Sequence, residues 1–194
     1  MRPLRIAILG STRGSNLIPI AEAINHKTLN AEITIVISNK ISAGILEKAS
    51  NFKLNFAAII QEKSEARADY DQRLANVLEG QELDLIVLIG FMRILSPEFI
   101  NTFKNKIINV HPSLLPKHQG LMDLAVHQAV LDAQEKMSGC TVHLVTEIVD
   151  GGKILVQKQC EILENDTAET LKAKVQALEG PALIEAITLF QPKE

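Results

Sequence analysis

Short apolar runs alternate along this chain with longer stretches whose apolar positions recur every three or four residues. "RIAILG" reads as a buried strand, and a helical pattern follows from Asn16 to Asn25. "AEITIVISN" alternates and is rich in β-branched residues, as a strand should be; a helix over Ala43 to Asn51 and a third strand, "NFAAII", come after it. "SEARADYDQRLANVLEG" predicts a helix opening at Ser64 and closing at Gly80. "DLIVLIG" has the continuous apolar character of a strand covered on both faces, and a short helix after Pro97 leads into "KIINV". This βαβα rhythm predicts an α/β fold, a doubly wound and mostly parallel Rossmann-like sheet flanked by helices. Beyond Pro116 the rhythm changes. A helix over Met122 to Ala133 precedes two β-rich runs, "GCTVHLVT" and "KILVQKQCEI", which predict a hairpin-like extension. A last helix spans Thr167 to Phe190, with Pro181 expected to kink or break it.

The 194 residues suit one domain, 1–194, with a nucleotide- or phosphate-binding half over 1–110 and a catalytic loop and C-terminal half over 111–194. A net charge of −3 gives no basic footprint for nucleic acid, and with no Trp and one Tyr there is no stacking platform for single strands. Anionic substrates must be held by local devices. The apolar run after the basic start is too short for a signal-peptide core, no stretch approaches a membrane span, and the two cysteines make no disulfide framework. A cytoplasmic enzyme without membrane or nucleic-acid partners is the expectation.

Three constellations carry candidate chemistry. "GSTRGSN", Gly10 to Asn16, lies between a strand and a helix, where backbone amides at the helix N-terminus form an anion site, with Arg13 adding charge and Ser15 a hydroxyl. Its spacing is neither the dinucleotide fingerprint nor the Lys-bearing phosphate loop. The same residues also suit a Gly-rich turn with Ser15 or Asn16 merely capping the helix. In "IINVHPSLLP", Asn109 and His111 are two apart and so share one face at a strand's carboxyl end. An amide there can donate to a developing oxyanion, and an imidazole is matched to proton transfer near neutral pH. "EIVDGG" supplies Asp150, which beside His111 would favour the imidazolium and orient the ring. A turn cap, a core histidine and a hairpin turn remain the alternative for these residues. No Ser or Cys has an evident base partner, so direct transfer fits better than a covalent enzyme intermediate. The histidines are scattered without metal-ligand spacing, and no metal is expected. The third constellation is "GFMRILSP", whose Met92, Ile94 and Leu95 can line a slot for a flat ring or simply fill a core.

"RGSN", "FMRILSP", "NVHPSLLP" and "VDGG", in this order and spacing, resemble the glycinamide ribonucleotide formyltransferases, a folate-dependent family of purine synthesis. The likeness runs from "RGSN" to the region of Glu179. It implies transfer of a formyl group from 10-formyltetrahydrofolate, as cosubstrate, to the amine of glycinamide ribonucleotide, through a tetrahedral intermediate and without a metal. It further implies that Asn109, His111 and Asp150 are catalytic, and that Gly14, Ser15 and Asn16 hold the ribonucleotide phosphate, with Arg13 beside them. Gln176 and Glu179 match a stretch that contacts the ribonucleotide. Arg67, Met92, Arg93, Ile94, Leu95, Asn109 and the loop Thr146, Glu147, Ile148, Val149 and Asp150 match folate contacts. A monomer or homodimer is expected. The chain departs from the family pattern at Lys117, His118 and Gln119, where an aromatic and a proline are usual, and in a longer "GLMDLAVHQAV". Gly180 replaces a usual histidine and is followed by Pro181, and Lys153 replaces a common proline. Related alternatives are an enzyme formylating initiator methionyl-tRNA, expected to carry a further C-terminal domain, and a formyltetrahydrofolate hydrolase, expected to carry a further N-terminal one. A catalytically silent nucleotide-binding module is a third; it leaves the pairing of "NVHPSLLP" with "VDGG" unexplained.

Overall fold

A computed structural model describes residues 2–191. In chain order the elements are β1 (Leu4–Leu9), α1 (Leu17–Asn25), β2 (Ala31–Ser38), α2 (Gly44–Asn51), β3 (Phe56–Ala58), α3 (Arg67–Glu79) and β4 (Leu85–Leu88). They continue with α4 (Pro97–Thr102), β5 (Ile107–His111), α5 (Leu124–Asp132), β6 (Met137–Leu144), β7 (Ile154–Glu161) and α6 (Ala168–Thr188). The strands form one sheet in the order β3-β2-β1-β4-β5-β6-β7. The first five pair in parallel; β5 with β6 and β6 with β7 pair antiparallel, which is the expected hairpin-like extension.

Two apolar clusters cover the two faces, and alternation along β1 feeds both. Ile6 and Ile8 join Leu17, Ile20, Val175 and Leu183 of α1 and α6, whereas Ala7 and Leu9 join Tyr70, Leu74, Phe99 and Phe103 around α3 and α4. The chain moves outward from β1 through β2 to β3, then returns to build β4 and β5 on the other side of β1. The strand order therefore reverses between β1 and β4, and in open α/β sheets the crevice beyond the carboxyl ends at that point receives ligands. Ser11 ties the loops there together: its N–H donates to the Gly90 carbonyl (3.0 Å), its hydroxyl donates to Asn39 (2.6 Å), and it accepts from the Met92 N–H (2.8 Å).

Several boundaries differ from the sequence expectation for local reasons. α3 begins at Arg67 rather than Ser64, because Glu65 closes a turn through its carboxylate on the Glu62 N–H (3.0 Å) and its carbonyl on Gln61 (2.7 Å). α5 begins at Leu124 rather than Met122, after Asp123 takes a positive φ of 54°. β3 is only Phe56–Ala58, since β2 offers it just Val36–Ser38 as partners. Pro181 does not break α6; Leu171, Val175, Leu183 and Ile187 are all fully buried beneath the helix, and that packing outweighs the one hydrogen bond a proline removes.

Candidate active site

The crevice is a cavity of about 890 Å³ that runs from the N-terminus of α1 to the ends of β5 and β6. Arg13, Gly14, Ser15, Asn16, Met92, Arg93, Ile94, Leu95, Asn109, His111, Thr146, Glu147, Ile148, Val149, Asp150, Gln176 and Glu179 all line it. Arg67 does not. It is exposed in the first turn of α3, near Asp71, so the contact expected of it is absent from this wall.

At the α1 end, Gly14 holds φ +64° and its Cα lies against Ile45, where an added Cβ would meet side-chain carbons at 2.4 Å. The turn is thus closed to any larger residue, and the backbone amides that open α1 stay uncovered. Asn16 is the N-cap residue but makes no side-chain cap; its amide donates instead to the Glu179 carboxylate at 2.6 Å. That excludes the capping reading of Asn16. The bond spans α1 and α6, and Gly180 makes it reachable: an added Cβ there would lie 2.6 Å from Pro19 of α1. Glycine at 180 thus fits the close approach of α6 to α1 in which Glu179 is seated on Asn16. Burial pushes the Glu179 carboxyl above its ordinary value, partly opposed by the Asn16 amide.

At the β5 end, strand register sets the chemistry. Asn109 pairs with His143 across β5 and β6, and its amide nitrogen lies 3.3 Å from His143 Nε2. His143 Nδ1 lies 2.9 Å from the Leu144 carbonyl, which can only accept, so a neutral ring leaves Nε2 to accept one Asn109 proton and directs the other outward. Asp150 reaches in at a positive φ of 52°, with Oδ1 3.4 Å from His143 Nε2 and Oδ2 3.2 Å from His111 Nδ1. The same Oδ2 accepts from the Gly120 N–H at 2.9 Å. His111 Nε2 lies 3.1 Å from the His118 carbonyl. Both ring nitrogens of His111 thus face acceptors, the arrangement that an imidazolium satisfies. Burial nevertheless pushes the His111 value below its ordinary one; Asp150 and the His118 carbonyl pull the other way without overcoming it. The expectation that Asp150 favours the charged ring holds as a contribution and is outweighed by desolvation. Asp150 itself sits below the usual carboxylate range: burial opposes its ionisation, and the nearby His143 ring, the Gly120 N–H and the His111 ring together outweigh it. An ionised carboxylate thus stands beside an imidazole that holds its second proton weakly, a pairing able to exchange protons.

Between the two ends, Met92, Ile94, Ile148 and Val149 are exposed apolar side chains on the rim, with exposures of 42–70%. Large apolar side chains left open around a concave site are the chemistry that accepts a flat ring. Arg93 is fixed beside them, its guanidinium 4.0 Å from the Tyr70 ring centroid and bonded to Gln61 at 2.6 Å. Neither Ser113 nor Cys140 is a competing nucleophile. Ser113 is fully buried and donates to the Lys117 carbonyl, and burial pushes the Cys140 thiol up to about 12. Among the described residues no group of three or more His, Cys, Asp or Glu is placed to hold a metal ion. No helix among them is long and apolar enough to cross a membrane.

Sequence reasoning missed His143, His127, Lys172 and the loop Lys117 to Gly120. Lys172 was within reach: with Gln176 and Glu179 it makes an i, i+4, i+7 stripe on α6, and all three line the cavity. Its ammonium bonds to the Asp123 carboxylate. His127, buried beside them, has an unpartnered Nδ1, and burial lowers its value to about 4. His143 carries no such spacing and becomes visible only once β6 is registered on β5.

The profile of the formyl transferase family matches residues 4–187. The chain is 37% identical over 175 residues to a phosphoribosylglycinamide formyltransferase of Haemophilus influenzae, covering 90% of this chain and 81% of that one. It is 38% identical over 185 residues to a bovine trifunctional purine biosynthetic protein, covering 95% of this chain but spanning only 18% of that relative's length. The solved phosphoribosylglycinamide formyltransferase of Coxiella burnetii superposes with a TM-score of 0.91 at 39% identity, over 97% of this chain and 87% of that one. Sequence, sheet order and site thus converge: the chain belongs to the formyl transferase family.

Proposed function

We propose that this chain transfers the formyl group of 10-formyltetrahydrofolate to the amine of glycinamide ribonucleotide, as in the purine biosynthesis for which its trifunctional relatives are named. The observation that carries this reading is the convergence of Asn109, His111 and Asp150 at one end of a cavity whose other end is an open helix N-terminus. The chain works as one domain, with the phosphate held by the first half and the acid–base groups supplied mainly by the second.

The uncovered amides of Gly14, Ser15 and Asn16, with Arg13 beside them, hold the phosphate; Gln176 and Glu179 face the ribose from α6. Met92, Arg93, Ile94, Leu95 and the Thr146–Asp150 loop take the folate, which supplies the formyl group. Asn109 donates its outward amide proton to the formyl oxygen, which gains negative charge as the amine adds. His111 completes the charge stabilisation when protonated, since a nearby oxyanion offsets the burial that lowers its value. A new C–N bond forms to the amine and the C–N bond to the folate breaks. The proton lost by the amine passes to the departing folate nitrogen, with His111 and Asp150 as the relay. No covalent bond to the protein is needed. The chain acts on small molecules, and one crevice of about 890 Å³ carries both sets of proposed contacts.

The test is to incubate the purified chain with both substrates and follow release of tetrahydrofolate. Release is expected only when the ribonucleotide is present. Release without it favours the hydrolase reading, and ribonucleotide binding with no release favours a silent module.

A further inference from the structure

We propose that Glu135, in the connection between α5 and β6, is a positioning residue for the His111–Asp150 pair, acting through His118; this rests on the reading of the site given above. The loop Lys117 to Gly120 makes three bonds to that pair. The His118 carbonyl accepts from His111 Nε2 at 3.1 Å, the Gly120 N–H donates to Asp150 Oδ2 at 2.9 Å, and the Gln119 amide donates to the Asp150 carbonyl at 3.2 Å. One short loop thus sets which His111 nitrogen carries a proton and where the Asp150 carboxylate stands.

The loop belongs to no helix or strand, and His118 sits at φ 59°, a conformation a non-glycine residue keeps only when its surroundings enforce it. The enforcement converges on Glu135. Its Oε1 is 2.9 Å from His118 Nε2 and its Oε2 is 3.1 Å from Lys117 Nζ, while Ser113 donates to the Lys117 carbonyl at 2.8 Å. The His118 and Glu135 side chains are 15% and 16% exposed, so water competes weakly for this link. Burial disfavours ionisation of Glu135, and the bonds from His118 and Lys117 outweigh it, leaving the carboxyl below its ordinary value. The same segment is where the chain leaves its family's pattern at Lys117, His118 and Gln119. Of this loop only Gly120 lines the cavity, so a displaced loop acts mainly on the acid–base pair, and a shift of about 1 Å at a reacting group can cost ~10²-fold in rate.

His111 faces Asp150 from the β6–β7 loop, the His118 carbonyl and ring from this loop, His143 from β6 and His127 from α5. Of these, only Asp150 and the carbonyl favour the charged ring. Loosening the carbonyl therefore lowers the pH at which His111 titrates, and the high-pH fall of kcat moves to lower pH. A purely structural role for Glu135 changes the melting temperature and leaves that limb in place.

The experiment compares wild type, Glu135→Ala, His118→Phe and the double variant. It reads kcat, the KM of each substrate, and the His111 imidazole titration by NMR in the substrate-free protein. Glu135→Ala is expected to lower kcat about tenfold or more with KM changed less than ~2-fold, and to shift the His111 titration downward. His118→Phe should do the same, and the double variant should be no worse than either, because one link is cut twice. Glu135→Gln, which keeps an acceptor for His118, should restore most of the rate. Folded Glu135→Ala with wild-type kcat and titration overturns the proposal, as do multiplied effects in the double variant. If Glu135→Ala does not fold, His118→Phe and Glu135→Gln decide in the same way. If wild type transfers no formyl group, the functional reading falls while the His111 titration still decides the clamp.

Discussion

At the α1 end of the cavity the groups proposed to hold the phosphate are backbone amides, and their placement follows from a glycine that tolerates no side chain and from the start of α1. At the β5 end the working groups are side chains drawn from β5, β6 and two loops, and each is placed by another side chain or carbonyl. The first construction is mostly local, with Ile45 packed on Gly14 and the Asn16–Glu179 bond tying it to the rest of the molecule. The second is long-range, and its members depend on one another. Substitution at the β5 end should therefore damage the chemical step, and substitution at the α1 end should damage binding.

The largest effect is expected for Asn109→Ala. Losing one oxyanion donor costs about 2.7–4 kcal/mol, or 10²–10³ in kcat, with little change in the KM of the ribonucleotide. Steady-state kinetics check this; a loss carried by KM instead would erase the distinction between the two ends. A smaller effect is expected for Glu179→Gln at the α1 end, where the ribonucleotide KM should rise about tenfold, the size of one charge-assisted hydrogen bond, ~1.5 kcal/mol, with kcat nearly kept. The same variant should be more stable at neutral pH. The folded-state value of Glu179 is raised by burial, so its ionisation costs stability as pH climbs through and above the ordinary carboxylate value, and below that value the cost is absent. Melting curves of wild type and Glu179→Gln should converge in acid and separate toward neutrality; equal curves at every pH would mean the buried charge is fully compensated.

The contrast also explains how much the sequence alone conveyed. The βαβα rhythm gave the parallel sheet and its switch point, because alternation along strands such as β1 directly reports two covered faces. The Gly10–Asn16 turn was legible for the same reason, since a glycine between strand and helix is a local constraint. Spacing put Asn109 and His111 on one face, but it left a turn cap and a core histidine open, as the Gly-Gly turn did for Asp150; only the family resemblance singled the three out. His143 was not legible, because its role depends on which residue of β6 faces Asn109, and register between distant strands leaves no local mark. Glu135 was hidden for a stronger reason: it reaches the pair only through His118, whose contact with His111 is a backbone carbonyl, which every residue carries. Arg67 matches a motif position but stands outside the cavity wall, because the turn closed by Glu65 sets the start of α3 and leaves it exposed.

The most direct measurement follows the formyl carbon itself. With 10-formyltetrahydrofolate labelled at that carbon, label is expected on the ribonucleotide amine at the rate at which tetrahydrofolate is released, with no label in free formate. Label accumulating as formate, or remaining on the folate while the ribonucleotide is bound, would contradict that expectation.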